Sequence, residues 1–232
     1  MANILVVDDE ESIGEVVELN LTLEGHRVKR FTSAEKAMEE FNRPGVKFDI
    51  AILDIMLPGI SGTSLCEYIR ARDSDIGIIM LSAKSQEKDK VHSLSVGADD
   101  YVTKPFGVAE LVARVNSLLR RVKKTDKADE QPQDIMVSGP FTLDFKSRVM
   151  HKGDTVIDLT SVEFSIMELF FKNEGTALVR EKILEGVWGE NYFGDIKIVD
   201  VNIRRLRMKI EDDPSNPQHI VTVWGYGYRW SV

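Results

Sequence analysis

The chain is poor in the features that mark disulfide-stabilised, membrane-spanning and secreted proteins. Its one cysteine, Cys66, cannot form an internal disulfide, which fits a reducing cytosol. No apolar run approaches the roughly 20 residues of a membrane span. The N-terminal segment becomes acidic at Asp8, which is too early for a signal peptide. We therefore expect a cytoplasmic protein that does not associate with membranes.

The chain also lacks an excess of positive charge. Its formal net charge of −8 argues against non-specific nucleic-acid binding as its main property. The charge is unevenly distributed, however, because Lys197–Lys209 contains five basic residues and a single acid, Asp200. A basic helix on an otherwise acidic protein forms a local patch that can contact phosphates.

Two carboxylate sites, far apart in the chain, are the most informative feature. Asp8 and Asp9 follow the apolar run 4–7, and Asp54 follows the apolar run 50–53. In a parallel α/β sheet the carboxyl ends of neighbouring strands meet at one crevice, so these acids are expected to gather there. Carboxylate oxygens are ligands that Mg²⁺ prefers. The sequence therefore predicts a Mg²⁺ site beside a carboxylate, an arrangement suited to phosphate chemistry.

Residues 1–123 alternate short apolar segments with amphipathic ones. Five such units predict right-handed crossovers and a doubly wound, five-stranded parallel sheet. Strands are predicted at Ile4–Asp8, Arg27–Phe31, Ile50–Asp54, Gly77–Leu81 and Asp100–Thr103, and helices at Ser12–Leu23, Ala34–Phe41, Ser64–Ala71, Gln86–Val96 and Val108–Arg121.

Residues 124–134 are polar throughout, contain Pro132 and show no apolar periodicity, so they predict a flexible linker. Residues 135–232 then follow a different pattern. Thr160 and Glu163 form a capping box at the start of a helix that runs to about Phe171. Together with the other elements, this pattern predicts a winged helix-turn-helix domain. The other elements are strands at Phe141–Phe145, Arg148–His151 and Val156–Leu159, helices near Arg180–Val187 and Ile196–Glu211, and a closing hairpin at Gly225 and Gly227.

The last of these helices has two distinct faces. Its buried stripe is predicted to be Val199, Ile203, Leu206 and Ile210. Exposure to solvent explains why the opposite face is basic, but it does not explain the two apolar residues predicted on that face, Val201 and Met208. A helix docked in the major groove explains both, because Arg contacts phosphate or guanine and an aliphatic group meets a thymine methyl. The opposite face is predicted to carry Lys197, Val201, Arg204, Arg205 and Met208.

These motifs resemble those of two-component response regulators over essentially the whole chain. Residues 1–123 resemble a CheY-like (flavodoxin-like) receiver domain. Residues 135–232 resemble the winged-helix DNA-binding domain of the OmpR/PhoB-type subfamily, in the stretches LTSVEFSIMELF, VWGE, VDVNIRRLRMKI and TVWGYGYRW. The matching receiver residues are Asp8, Asp9, Asp54 with the DIMLPG segment that it opens, Ser82-Ala83, Tyr101 and Lys104-Pro105-Phe106.

The resemblance implies roles for the receiver residues. Asp54 would accept a phosphoryl group as an acyl phosphate. Lys104, before a cis peptide bond, and Ser82 would bind the phosphoryl oxygens, and Tyr101 would rotate inward as part of the switch. The implied Mg²⁺ ligands are Asp9, Asp54, the Met56 carbonyl and, through water, Asp8.

The resemblance also implies two interaction surfaces. Phosphorylation would drive formation of a receiver homodimer, held by intermolecular ion pairs of Lys90, Asp99, Asp100, Glu110, Arg114 and Arg121, with Leu94 and Ala113 as candidates for an apolar patch. DNA contacts would come from Lys197, Val201, Arg204, Arg205, Arg207, Trp224 and Arg229. Many relatives have Arg at the position of Trp224, so Arg229 is the candidate for the phosphate contact of the wing.

The implied partners are a sensor histidine kinase, promoter DNA and RNA polymerase. The protein would regulate transcription and would be an enzyme only in assisting its own phosphorylation and dephosphorylation. An aspartyl-phosphate enzyme such as a phosphatase is an alternative; against it, such enzymes usually carry an Asp-x-Asp pair as the nucleophile motif, and nothing here resembles a substrate cap. A regulator that dimerises without phosphate is another, against which the set of Asp8, Asp9, Asp54, Ser82 and Lys104 argues.

Overall fold

The computed structural model describes residues 1–83, 96–122, 134–190, 192 and 194–232. The chain divides into two compact units, Met1–Val122 and Lys123–Val232. Most of the helix predicted at Gln86–Val96, including Lys90 and Leu94, and nearly all of the predicted linker 124–134 lie outside the described residues. Within the described part of the chain, no helix is both long and apolar enough to cross a membrane.

The first unit is built on a parallel five-stranded sheet in the order β2-β1-β3-β4-β5. Every residue of β3 and β4 is buried, because these two strands are central and covered on both faces. This arrangement confirms the predicted doubly wound fold. The strands are β1 (Asn3–Val7), β2 (Arg27–Phe31), β3 (Ile50–Asp54), β4 (Gly77–Ser82) and β5 (Asp100–Thr103).

Four described helices connect and cover these strands. The third begins two residues earlier than predicted, since the Ser61 hydroxyl accepts a hydrogen bond from the Ser64 amide and caps it. Gly62 opens this helix where a Cβ atom would lie 1.8 Å from the carbonyl oxygen of Asp54, so only glycine allows so close an approach. The helices are α1 (Glu11–Leu23), α2 (Ala34–Phe41), α3 (Gly62–Arg70) and α4 (Val108–Val122).

The second unit contains two antiparallel sheets and three described helices, as a winged helix requires. The first sheet has the order β6-β7-β8-β9, and the second has the order β10-β12-β11. Its elements are β6 (Ile135–Ser138), β7 (Phe141–Asp144), β8 (Val149–Lys152), β9 (Thr155–Ile157), α5 (Ser161–Lys172), β10 (Ala177–Val179), α6 (Arg180–Trp188), α7 (Lys197–Ile210), β11 (Ile220–Val223) and β12 (Gly227–Trp230).

Trp230 joins the parts of the second unit. Its ring centroid lies 5.1 Å from that of Phe141 on β7 and 5.4 Å from that of Phe171 on α5. Its indole N–H donates a 2.7 Å hydrogen bond to the Ser138 hydroxyl on β6, which satisfies a buried donor. The first sheet, α5 and the closing hairpin therefore share one aromatic core.

Candidate phosphoacceptor site and nucleic-acid interface

Asp8 and Asp54 meet at the carboxyl edge of the first sheet, as the sequence predicts. Asp8 follows β1, Asp54 ends β3, and both are buried. One carboxylate oxygen from each of Asp8, Asp54 and Glu10 lies within 4.8 Å of the other two. Sequence reasoning missed Glu10, although its place directly after the acid pair was a usable signal. Asp9 is exposed and is not a member of this group of acids, so its role as a metal ligand stays a prediction.

The Lys104 ammonium lies among these three carboxylates. Its Nζ is 2.5 Å from an Asp54 oxygen, 2.9 Å from an Asp8 oxygen and 3.1 Å from a Glu10 oxygen. The backbone amide of Lys104 donates to the Ser82 carbonyl, which holds the end of β5 beside β4. The peptide bond from Lys104 to Pro105 is cis, as the resemblance implies. The structure therefore brings together a nucleophile candidate and a cation that can bind a phosphoryl group.

The protonation of this cluster follows from burial and from its charges. Burial by itself would lower the pKa of the Lys104 ammonium, but contacts with the three carboxylates outweigh burial and hold that pKa above its usual value. Burial raises the pKa of the Asp8 carboxyl, and the neighbouring Lys104 partly opposes the shift. Lys104 is consequently a permanent positive charge at neutral pH.

The backbone orients both aspartates. One oxygen of Asp8 accepts from the Glu10 amide at 2.9 Å, and one oxygen of Asp54 accepts from the Met56 amide at 3.0 Å. The second oxygen of each acid is turned toward Lys104. The second oxygen of Asp8 is buried and, apart from its 2.9 Å ion pair with Lys104, has no partner among the described residues. A buried, under-satisfied oxygen in an all-oxygen donor set fits a hard divalent cation such as Mg²⁺.

The two predicted switch residues lie on neighbouring strands. Ser82 ends β4 and Tyr101 lies on β5, and both are buried. The register pairs Ser82 with Thr103, which places Ser82 at the carboxyl edge of the sheet next to Lys104, whereas Tyr101 pairs with Met80, two residues further from that edge. Tyr101 is already buried in this structure, and its rotation on phosphorylation stays a prediction.

Four of the six residues predicted to form intermolecular ion pairs are paired within the chain, and a fifth, Lys90, lies outside the described residues. Asp99 contacts Arg70 of α3 at 2.8 Å, and Arg114 of α4 contacts Asp100 at 3.1 Å and Glu110 at 2.7 Å. This differs from the expected intermolecular pairs because Arg70 of α3 and Arg114 of α4 lie within ion-pair distance of the two acids at the start of β5. Arg121 is likewise buried, 3.2 Å from the Ser117 hydroxyl, whereas Ala113 is exposed.

Helix α7 carries the predicted recognition surface. The predicted buried stripe Val199, Ile203, Leu206 and Ile210 is confirmed, since all four residues are at most 1% exposed. The prediction that Val201 is exposed is wrong, because only 7% of its surface is accessible. The buried arc is wider than the stripe because α6 and β12 flank the start of α7, where Asp200 contacts Arg180 and Tyr228 at 2.7 Å.

Two basic residues of α7 are bound to a buried carboxylate. Glu163 is completely buried and contacts Arg205 at 3.0 Å and Lys209 at 2.8 Å. It also completes the predicted capping box with Thr160. Burial by itself would raise the pKa of the Glu163 carboxyl, but the charges of Arg205 and Lys209 outweigh it and lower that pKa. Arg205 and Lys209 therefore hold α7 against α5 in the free protein, whereas Arg204 and Met208 are exposed.

The wing is tied to α7 and ends in an exposed aromatic residue. Arg207 donates to the Ile220 carbonyl at 2.6 Å and to the Thr222 hydroxyl at 2.8 Å. Trp224 at the tip is 91% exposed and precedes Gly225, whose φ of +70° allows the tight turn. Lys197 and Arg229 are half-buried. Of the predicted DNA contacts, Arg204 and Trp224 are therefore the most accessible.

Comparison with known proteins assigns the two sites to two domain families. Residues 4–116 match the response regulator receiver domain family, and residues 154–230 match the family of transcriptional regulatory protein C-terminal domains. The chain is 43% identical over 229 residues to the sensory transduction protein RegX3 of Mycobacterium tuberculosis, covering 99% of each chain. It is 40% identical over 227 residues to the regulatory protein VanR of Enterococcus faecium, covering 97% of each.

Solved structures support the same assignment. The response regulator DrrB of Thermotoga maritima, described as an OmpR/PhoB homologue, is 33% identical, with a TM-score of 0.53 over 100% of both chains. A cysteine-to-serine mutant of RitR is 25% identical, with a TM-score of 0.73 over 99% of both chains. A receiver match, a DNA-binding match and full-length relatives occur in one order along one chain, so the protein belongs to the OmpR/PhoB-type response regulators, with a receiver domain followed by a DNA-binding domain.

Proposed function

We propose that this response regulator is a phosphorylation-switched transcription factor that accepts a phosphoryl group on Asp54 from a sensor histidine kinase. The observation that carries the proposal is the contact of 2.5 Å between buried Asp54 and the Lys104 ammonium, at the edge where Asp8 also lies. An anionic nucleophile beside a fixed cation suits attack on an anionic phosphoryl donor. We propose promoter DNA and RNA polymerase as its further partners and the cytoplasm as the place where it acts.

The residues of the site divide the work of phosphoryl transfer. An oxygen of Asp54 attacks phosphorus, the bond from phosphorus to the imidazole nitrogen of the kinase's phosphohistidine breaks, and the products are an acyl phosphate on Asp54 and the free imidazole of the kinase. Lys104 exchanges its contact with Asp54 for a phosphoryl oxygen, and the Ser82 hydroxyl donates to another. Bound Mg²⁺ would neutralise charge on the transferring group. The residues that would hold the ion are Asp8, Asp9, Asp54 and the Met56 carbonyl.

Phosphorylation would act on DNA binding through dimerisation. Pairing of two receivers raises the effective concentration of the second DNA-binding domain near a site that the first has bound. The candidates for the dimer surface are Lys90, Asp99, Asp100, Glu110, Arg114 and Arg121. Arg114 already bonds Asp100 and Glu110 within the chain, so these pairs would have to exchange partners.

The spacing of half-sites tests this coupling. We expect the phosphorylated protein, or its beryllofluoride-treated form, to bind cooperatively to two tandem half-sites about one helical turn apart. Lengthening the spacer by about five base pairs rotates one half-site to the opposite face of the DNA and should abolish cooperativity. Footprinting on both spacings, with and without beryllofluoride, measures this effect. Equal cooperativity on the two DNAs would contradict paired docking.

The exposed face of α7 supplies a second prediction. Arg204→Ala is expected to weaken specific binding by about 1–3 kcal/mol, because a base or phosphate contact is lost. Lys209→Ala should change DNA affinity much less, since Lys209 is engaged with Glu163 and the Asp158 carbonyl. Titrations of specific and random DNA by fluorescence anisotropy compare the two variants. A larger loss for Lys209→Ala would show that Lys209 leaves Glu163 to bind DNA.

We propose no catalytic activity beyond the receiver's part in its own phosphorylation and dephosphorylation. A phosphatase acting on a separate ester would turn over continuously, whereas a response regulator consumes about one donor per acyl phosphate lost. Steady release of phosphate from a phosphate ester by the purified protein would favour the enzyme hypothesis instead.

A further inference from the structure

Glu10 is an acid at the rim of the phosphoacceptor site whose role helix formation does not explain. It is the residue before α1, but its side chain makes no capping hydrogen bond. More than half of the side chain, 58%, is exposed, and one oxygen accepts from Lys104 at 3.1 Å. Together with Asp8 and Asp54 it forms the group of carboxylates around the Lys104 ammonium.

The contacts of Lys104 create a competition. An ammonium group has three N–H donors, and in this structure Asp8, Asp54 and Glu10 all lie within 3.1 Å of its nitrogen. Under the proposed function Lys104 must turn to an oxygen of the incoming phosphoryl group. Asp8 and Asp54 are buried, and their oxygens would bind the divalent cation. Glu10 lies at the exposed rim of the site, so its ion pair with Lys104 would remain when the cation is bound. Its negative charge also lies where an anionic donor must approach.

We propose that Glu10 restrains phosphorylation of Asp54 by small, negatively charged phosphodonors. In the transfer an Asp54 oxygen forms a bond to phosphorus, the bond from phosphorus to the leaving-group oxygen breaks, and acetate departs from acetyl phosphate with the electron pair. Glu10 opposes this step in two ways, since it competes with the phosphoryl oxygens for Lys104 and repels the donor. This inference rests on the proposed function and adds a determinant of donor specificity to it.

The test compares Glu10→Gln with Glu11→Gln. Both changes remove one negative charge from neighbouring exposed residues, but Glu11 is not a member of the acid group around Lys104. With acetyl phosphate at saturating Mg²⁺, Glu10→Gln should be phosphorylated about fivefold faster than the wild type, as expected for removal of a screened charge a few ångströms away. Glu11→Gln should differ from the wild type by less than about twofold. Phosphoramidate, which carries less negative charge, should gain less from Glu10→Gln.

Intact-mass spectra over time measure the rates, and calorimetric titration of each variant with Mg²⁺ alone establishes saturation. Equal rates for Glu10→Gln and Glu11→Gln would overturn the role of Glu10, and so would a slower Glu10→Gln variant at saturating Mg²⁺. A wild-type protein that takes no label from either donor would instead contradict the proposed function. The two failures are therefore distinguishable in one experiment.

Discussion

Replacing Asp54 with asparagine should abolish Mg²⁺-dependent phosphoryl incorporation altogether. The wild-type protein should take up one phosphoryl group from acetyl phosphate. The amide nitrogen and oxygen of asparagine are poor nucleophiles, and the neutral side chain cannot form an acyl phosphate. The variant should fold, because asparagine keeps an oxygen that can accept from the Met56 amide and removes a charge buried beside Lys104. Intact-mass spectrometry measures the uptake.

The matched control for this experiment is Asp75→Asn. Asp75 is exposed and lies just before Gly77, where β4 begins, so it is at the opposite end of the sheet from Asp54. This control should be labelled at the wild-type rate. Undiminished labelling of Asp54→Asn would place the phosphoacceptor on another residue, and loss of labelling in the control as well would indicate a general effect on folding.

Replacing Glu163 with glutamine should cause the largest loss of stability among these variants. The change leaves Arg205 and Lys209 facing a neutral group in a completely buried position. Removing one partner from a buried ion pair costs roughly 3–5 kcal/mol, and the partial exposure of Lys209 places the expected loss near the lower end. All three tryptophans belong to the second unit, so urea unfolding followed by tryptophan fluorescence reports on this unit.

The matched control is Glu185→Gln, since Glu185 is an exposed acid of helix α6. Its free energy of unfolding should stay within about 0.5 kcal/mol of the wild type. If Glu163→Gln also unfolds within that margin, the contacts of Glu163 with α7 do not stabilise the domain.

Comparing the wild type with Glu163→Gln at different pH values gives a further prediction. The pKa of Glu163 is lower in the folded chain than its usual value near 4.5, so its contribution to stability is fully present above that value. As pH falls through the lowered pKa, the folded carboxylate is protonated and the contribution is lost. The stability difference between wild type and Glu163→Gln should therefore be constant near neutral pH and shrink in acid. A difference that grows in acid would contradict this sign.

The local order of the elements was predictable from the sequence. The alternation of apolar and amphipathic segments predicted β2, β3 and β5 with their observed bounds. The capping box of Thr160 and Glu163 was likewise predictable, because both residues lie within one helical turn of each other. Strand β10, only three residues long, was missed because it exists through its pairing with β12, which follows more than 40 residues later.

The sequence by itself determined the fold class, the two-domain pattern of motifs and the meeting of Asp8 with Asp54, because the ends of parallel strands must share one edge of a sheet. Only the tertiary structure decided how the charges are shared. It placed Lys104 among three acids, one of which, Glu10, was not predicted. It also paired Arg205 and Lys209 with the buried carboxylate of Glu163. It also buried Val201, because α6 and β12 pack beside the start of α7. The physical reason is that periodicity records which face of an element is apolar, whereas ion pairing and burial depend on the residues that distant elements bring alongside it.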